Sequence, residues 1–194
     1  LRAMKLVLTY LERAYDDGTD VEARDHMANA SCLAGMAFAN AFLGVNHSMA
    51  HKLGAYHHIA HGMANAVILT RVMRYNAAER PVKMGTFPQY DHPKTLARYA
   101  EAGRFCGIKG RTDQEVFENF IARIEELKAH VGVPETIAGF GVTEEDFLAT
   151  IDEMSENAFN DQCTGANPRY PLISEIKELY LDAFYGREPS SYED

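Results

Sequence analysis

Apolar residues recur at intervals of three and four along most of this chain, and this spacing limits the fold more than any other feature. Leu1, Met4, Leu8, Leu11 and Tyr15 place their side chains on one face of a helix. Segments with the strict alternation of half-buried strands are hard to find. The sequence therefore predicts an all-α fold, a helical bundle.

Breaks and caps divide this pattern into successive helices. Asp16-Asp17-Gly18 ends the first helix, and Asp20 is placed to cap a second one that runs from Val21 to about Gly44. Further helices are predicted over 45–54, 61–76, 93–105, 113–132, from Thr143 onward, and over 172–185, with capping boxes at Thr112 and Thr143. The Pro- and Gly-rich stretch 77–90 predicts a loop and a sub-lobe break within one domain that spans 1–194.

Composition excludes several kinds of partner. The formal net charge of −9 and the isoelectric point of about 5.4 argue against nucleic acid and anionic lipid. No apolar run reaches the roughly 18 residues of a membrane helix, and the shorter stretch 32–45 predicts a buried helix. Three cysteines without a CxxC pair suit reduced thiols in a cytoplasmic protein.

Five of the eight histidines fall between His47 and His61. His47 and His51 share a helical face, and His61 begins the next helix after a tight connection. The adjacent His57 and His58 point in different directions, so at most one of them lines a common site. The isolated histidines are interpreted as surface or structural residues: His26, His92 and His130.

Two interpretations of the cluster stay open at this point. The imidazoles either hydrogen-bond within a polar seam or form a metal or catalytic site, and five in one stretch favour the second. A divalent metal normally takes at least three protein ligands, and iron also prefers a carboxylate. No Asp lies four residues before any His. The remaining ligands are therefore expected from scattered residues or from polypeptide outside this chain, which begins at Leu1 within a helical pattern.

Three segments of the chain resemble a known family. The run from Gly35 to Asn65, GMAFANAFLGVNHSMAHKLGAYHHIAHGMAN, resembles the signature of the iron-containing (group III) alcohol dehydrogenases. Phe87-Pro-Gln-Tyr90 and the run DQCTGANPRYP from Asp161 to Pro171 are similar to the alcohol dehydrogenase half of bifunctional aldehyde–alcohol dehydrogenases. The resemblance implies the metal-carrying C-terminal helical lobe of a two-lobed subunit.

The resemblance also implies roles for individual residues. His47 and His61 correspond to two iron ligands, and His51 to a histidine that faces the nicotinamide and the substrate and relays a proton. Phe38 and Cys163 correspond to residues that line the alcohol pocket. The other two ligands, spaced Asp-x-x-x-His, are expected before Leu1, and the α/β lobe that binds NAD is absent from this chain.

The implied function is an NAD-dependent, iron-dependent oxidoreductase that interconverts a primary alcohol such as ethanol and its aldehyde. Fe²⁺ is the expected metal, with Zn²⁺ as a substitute. The full-length protein is expected to be a cytoplasmic homo-oligomer or filament, and this fragment alone to be inactive. Two alternatives are a self-contained helical zinc metallohydrolase and a non-catalytic assembly module of a filament-forming enzyme.

Several other residues in these motifs are interpreted as structural. Lys52, Asn65 and Arg169 are assigned structural roles, and Asn167-Pro-Arg169 is expected to order the turn before the final helix. Cys163 lacks a base nearby in sequence and is interpreted as pocket wall. The methionines at positions 27, 36, 49 and 63 are expected to fill the core.

Overall fold

The structure is a computed structural model, and it describes residues 1–78 and 94–187. These residues form the α-helices α1 (Arg2–Asp16), α2 (Val21–Ala41), α3 (Val45–His57), α4 (His61–Ala77), α5 (Thr95–Phe105), α6 (Asp113–His130), α7 (Glu144–Phe159) and α8 (Ile173–Tyr185). Two short 3₁₀ helices cover Ala138–Phe140 and Thr164–Ala166. Within the described residues there is no strand, and the all-α prediction is confirmed.

The predicted helix caps are present. Asp20, Thr112 and Thr143 each accept a hydrogen bond from the backbone N–H three residues later, which satisfies one of the free donors at a helix start. The reciprocal bond at Thr112 differs from that of a standard capping box. Glu115 accepts from the backbone N–H of Arg111, at 2.7 Å, rather than from that of Thr112.

The break between α2 and α3 comes three residues earlier than predicted. Phe42 has φ 65° and ψ −171°, a conformation that a helix cannot continue through, so α2 ends at Ala41 rather than near Gly44. Gly44 instead caps α3 in an extended conformation. The next helix is longer than predicted, because it continues past Gly54 to His57.

The chain groups into two compact units, one formed by 1–42 with 96–132 and the other by 43–95 with 133–194. In the first unit α1 packs against α2 and also contacts α6. The predicted sub-lobe break near 77–90 lies largely outside the described residues and stays a prediction. The predicted helix start at Pro93 also lies outside them.

The second helix is less buried than the sequence suggests. Of its residues only Ala23 and Ala30 are buried, whereas Met36, Phe38 and the following Phe42 are about half exposed. The prediction of a buried helix over 32–45 is therefore wrong for its α2 part in this chain, and Met36 is not a core residue. Within the first unit α1 covers one face of α2 and leaves the others open.

The second unit contains the main apolar core. Helices α3, α4, α7 and α8 enclose fully buried side chains that include Leu53, Ile68, Phe147 and Leu179. Met49 is also fully buried, as predicted, and its carbonyl accepts a hydrogen bond from the buried Tyr180 hydroxyl at 2.8 Å. This core fixes α3 and α4, the two helices that carry the histidine cluster.

No single helix in the described ranges is long and apolar enough to cross a membrane. Only α2 and α3 taken together, across the break between them, satisfy that test by length and composition.

Candidate active site

Three imidazole rings meet where α3 and α4 pack together. The ring centroids of His47 and His61 are 5.5 Å apart, and those of His51 and His61 are also 5.5 Å apart in a nearly parallel stack. His47 and His51 lie one turn apart on α3, with centroids separated by 6.2 Å. The structure thus brings together the three histidines that the sequence singled out, from two helices.

The short connection between the helices explains this approach. The C-cap of α3 is His58 in the left-handed conformation, and its N–H donates to the Gly54 carbonyl. The next N–H, that of Ile59, donates to the Leu53 carbonyl, and the Ile59 side chain is buried. The chain therefore reverses within three residues, and the first residue of α4 is His61.

The other end of α3 is held by a residue from the distal motif. Asn167 Oδ1 accepts from the backbone N–H of Val45 at 3.2 Å, while its Nδ2 donates to Asn76 Oδ1 and to the Arg169 carbonyl. Both Asn167 and Arg169 are almost fully buried. Asn167 therefore caps the helix that carries His47 and His51, a role that sequence reasoning missed.

Arg169 orders the segment before α8. Its guanidinium donates to the Tyr75 carbonyl and to Glu175, and it lies over the Tyr75 ring at 4.3 Å. Glu175 also accepts from the backbone N–H of Leu172 at the start of α8. These bonds support the structural interpretation of Asn167-Pro-Arg169.

Two asparagines link the histidine-bearing helices. Asn65 Nδ2 lies 3.2 Å from His61 Nε2, and Asn65 Oδ1 accepts from Asn46 Nδ2 at 2.8 Å. Because Asn46 follows the first residue of α3 and Asn65 lies one turn into α4, this pair restrains the His61 ring and the packing of the two helices.

A carboxylate from far along the chain supports His51. Asp161 Oδ2 lies 3.1 Å from His51 Nδ1 and 2.9 Å from Lys52 Nζ. Its Oδ1 accepts from the Cys163 backbone N–H at 3.0 Å. Burial alone would raise the pKa of Asp161, but the bonds from Cys163, Lys52 and His51 lower it well below the ordinary range.

Sequence reasoning did not identify Asp161 as a partner of these histidines. Helical spacing connects a histidine only with carboxylates about one turn away in sequence, whereas Asp161 is 110 residues from His51. The sequence offered one signal for Asp161, which is the first residue of the motif that contains Cys163.

Cys163 lies beside this pair, almost fully buried. Each of His51, Asp161 and Cys163 has one possible ligand atom within 4.8 Å of those of the other two. The Lys52 ammonium group already supplies the cation at this carboxylate, which disfavours a metal ion there. Burial and the neighbouring Asp161 raise the pKa of the Cys163 thiol. A protonated thiol is a poor nucleophile, which supports the interpretation of Cys163 as pocket wall.

Three further histidines have side-chain partners of their own. His57 bonds to Thr150 and lies against Phe147 in the core of the second unit. His26 stacks on Tyr10 and His130 pairs with Asp16, as expected for structural or surface residues. His92 and the motif from Phe87 to Tyr90 lie outside the described residues.

Phe38 lies on α2 in the first unit, about half exposed. Its predicted contribution to the alcohol pocket stays a prediction.

Comparison with known proteins identifies the family. Residues 1–184 match the sequence profile of the Fe-containing alcohol dehydrogenase family, C-terminal. The chain belongs to the Fe-containing alcohol dehydrogenase family. Among its relatives in this family is the bifunctional aldehyde-alcohol dehydrogenase of Escherichia coli strain K12, 51% identical over 97% of this chain and 21% of the relative. The aldehyde-alcohol dehydrogenase of Clostridium acetobutylicum is 48% identical over 95% of this chain and 22% of the relative.

Solved structures of this family share the fold. The iron-containing alcohol dehydrogenase from Thermococcus thioreducens superposes with a TM-score of 0.79 and 34% identity over 96% of this chain and 43% of that one. A 1,3-propanediol oxidoreductase gives the same TM-score and identity over 94% of this chain and 44% of that one. The chain thus spans about a fifth of these aldehyde-alcohol dehydrogenase relatives and less than half of these two solved chains.

Proposed function

We propose that this chain is the metal-carrying helical part of an NAD-linked, iron-dependent alcohol dehydrogenase that interconverts a primary alcohol such as ethanol and its aldehyde. The observation that carries the proposal is the meeting of His47, His51 and His61 at the junction of α3 and α4. Membership of the Fe-containing alcohol dehydrogenase family supports the class of reaction.

In this proposal His47 and His61 bind the metal. Metal–nitrogen bonds of about 2.1 Å put two imidazole centroids that share an ion about 4.5–5.6 Å apart, for angles of about 90–120° at the ion, and the observed 5.5 Å fits. A metal-binding imidazole must also be neutral. Burial, with the neighbouring His61 and His51, lowers the pKa of His47 and favours that form. The residues present therefore fit Fe²⁺, with Zn²⁺ as the proposed substitute.

When bound, the metal supplies Lewis acidity that makes the alcohol hydroxyl easier to deprotonate. The chain's own contribution is to receive that proton at His51, which lies beside His61 and is about one-third exposed. In the complete oxidation, one hydride from the alcohol carbon would go to the nicotinamide, while His51 would take one proton from the hydroxyl and pass it to water. Cys163 and Phe38 are proposed to line the alcohol pocket.

The other parts of the proposed enzyme lie outside these residues. The NAD site and the remaining metal ligands belong to sequence that this chain does not contain, so we expect the 194-residue chain alone to be inactive. A cytoplasmic location and assembly into homo-oligomers or filaments stay predictions for the full-length protein.

A self-contained zinc metallohydrolase is disfavoured. Such an enzyme would need a complete zinc site within this chain. The candidate group of His51, Asp161 and Cys163 is a poor one, because Lys52 already neutralises the charge of Asp161. The family is one of dehydrogenases.

The proposal predicts different effects for the three histidines in the full-length protein. We expect His47→Ala and His61→Ala to lose most of the bound iron, measured by plasma mass spectrometry, together with alcohol oxidation. His51→Ala should keep its iron and lose roughly 10²-fold or more in kcat, the usual contribution of a positioned acid–base group.

His130→Ala is the matched control, because this histidine belongs to the first unit and pairs with Asp16 there. It should keep both iron and activity. Full iron content and normal ethanol oxidation in the His47→Ala and His61→Ala variants would refute the proposed metal centre.

A further inference from the structure

Asp161 makes the bond that fixes the orientation of the His51 ring. Its Oδ2 faces His51 Nδ1 at 3.1 Å, and its Oδ1 is anchored by the Cys163 backbone N–H. The Asp161 side chain is about nine-tenths buried, so water offers this carboxylate little competition. Both carboxylate oxygens therefore have hydrogen-bond partners, and the imidazole is the partner of Oδ2.

Lys52 and the Cys163 N–H together favour the ionised form of this carboxylate. The Lys52 ammonium group lies 2.9 Å from the same Oδ2 atom, and an adjacent cation favours an ionised carboxylate. An ionised carboxylate only accepts hydrogen bonds. The shared hydrogen must then be on His51 Nδ1, which defines the tautomer of the ring.

The second ring nitrogen is left available by this arrangement. A neutral imidazole that is protonated on Nδ1 carries its lone pair on Nε2. No residue in the described part of the chain hydrogen-bonds to His51 Nε2, while the ring itself lies against His61 and near His47. The free acceptor thus belongs to a ring that is already part of the histidine cluster.

We propose that Asp161 is a positioning residue, which holds His51 in the Nδ1-protonated tautomer so that Nε2 takes the alcohol proton. This inference rests on the proposed function, in which His51 relays that proton. The proton passes from the alcohol hydroxyl to Nε2 and then to water, while Nδ1–H stays bonded to Asp161. The hydride passes separately to the nicotinamide, which is the oxidant.

The sharpest test is Asp161→Asn in the full-length, iron-loaded enzyme. The amide oxygen can still accept from Cys163, but the amide NH₂ group would face His51 Nδ1 and favour the opposite tautomer. We expect kcat for ethanol oxidation to fall roughly 100-fold, within the usual range for acid–base catalysis. KM, iron per subunit and the midpoint of thermal unfolding should change little.

Two further variants separate positioning from folding. Asp161→Ser keeps an acceptor for Cys163 without a carboxylate and should show the same loss of kcat. Asp152→Asn is the matched control, because Asp152 pairs with Lys177 on the surface of the same unit, and it should stay within twofold of the parent enzyme. Normal kcat in both Asp161 variants would overturn the inference.

A double variant distinguishes this inference from the proposed function. If Asp161 acts through His51, Asp161→Asn should reduce kcat less than about threefold in a His51→Ala background. The full 100-fold loss in that background would show a merely structural role. Normal activity of His51→Ala alone would instead overturn the proposed relay, and the inference with it.

A chemical readout does not depend on turnover. Diethyl pyrocarbonate reacts with an unprotonated imidazole nitrogen, and peptide mass spectrometry can follow the modification at each histidine of the metal-free, full-length protein. We expect the rate at His51 to fall severalfold in Asp161→Asn and the rate at His130 to stay constant. An unchanged rate at His51 would contradict the assigned tautomer.

Discussion

Gly44 lacks a side chain at the point where Asn167 reaches the beginning of α3. A Cβ atom there would lie 2.7 Å from Asn167 Oδ1, which is too close for any real contact. The same oxygen accepts from the Val45 N–H, and Asn167 is almost fully buried. A residue with no catalytic group therefore decides whether the histidine-bearing helix is capped.

We expect Gly44→Ala to destabilise the second unit. Asn167 must move and leave the buried Val45 N–H without its acceptor, which costs about 1–3 kcal/mol in the free energy of unfolding. Urea unfolding followed by circular dichroism measures this change. Gly165→Ala is the control, because nothing lies within 4 Å of its added Cβ. Equal stability of the two variants would contradict the close approach.

At the scale of helices, an arginine joins α1 to α6 in the first unit. Arg123 on α6 donates two hydrogen bonds, of 2.9 and 3.0 Å, to the two carboxylate oxygens of Glu12 on α1. The bonds from Arg123 lower the pKa of Glu12, although partial burial opposes this shift. The pair joins two residues that are 111 positions apart in sequence.

This pair predicts a pH-dependent coupling. Because the pKa of Glu12 is lowered by folding, its stabilisation is present above the unfolded value of about 4.5 and is lost as the pH falls through the folded value. A double-mutant cycle with Glu12→Gln and Arg123→Met should give a coupling of about 0.5–1 kcal/mol at pH 7, since both groups are partly exposed. The coupling should shrink steadily below pH 4.5.

The exposed pair of Arg98 and Glu101 on α5 provides the matched cycle. The coupling free energy of this exposed pair should stay near zero both at pH 7 and below pH 4.5. A coupling between Glu12 and Arg123 that persists at low pH would contradict an ionic interaction.

Across the described chain, the first two helices bury far fewer residues than α4 and α8 do. No residue of α1 is buried and α2 buries two alanines, whereas α4 buries nine residues and α8 six. Local opening is easiest where few apolar side chains must be exposed to water.

Hydrogen exchange should reveal this difference in the 194-residue chain. We expect backbone amides of α1 and α2 to exchange at least tenfold faster than those of α4 and α8, measured by mass spectrometry of peptides from each helix. Equal protection of the four helices would show that the chain opens only as a whole.

The helices and the histidine-rich segment could be predicted from the sequence, because each depends on residues close together in the chain. Helix starts at Asp20, Thr112 and Thr143 follow from side chains that bond three residues ahead. The start of α3 at Val45 is confirmed, but the end of α2 was misplaced, since the conformation of Phe42 has no sequence signal as strong as a proline or glycine. The family was recognisable from its motifs for the same local reason.

The sequence alone predicts a helical chain, the start of most helices, and the placement of His47, His51 and His61 on two consecutive helices. The distant residues that meet these helices depend on the packed fold: Asp161 contacts His51, and Asn167 contacts the start of α3. The exposure of most of α2 to solvent also depends on it. Helical periodicity reports which face of a helix is apolar, but partners more than 90 residues away are selected by the packing of the core and leave no periodic trace.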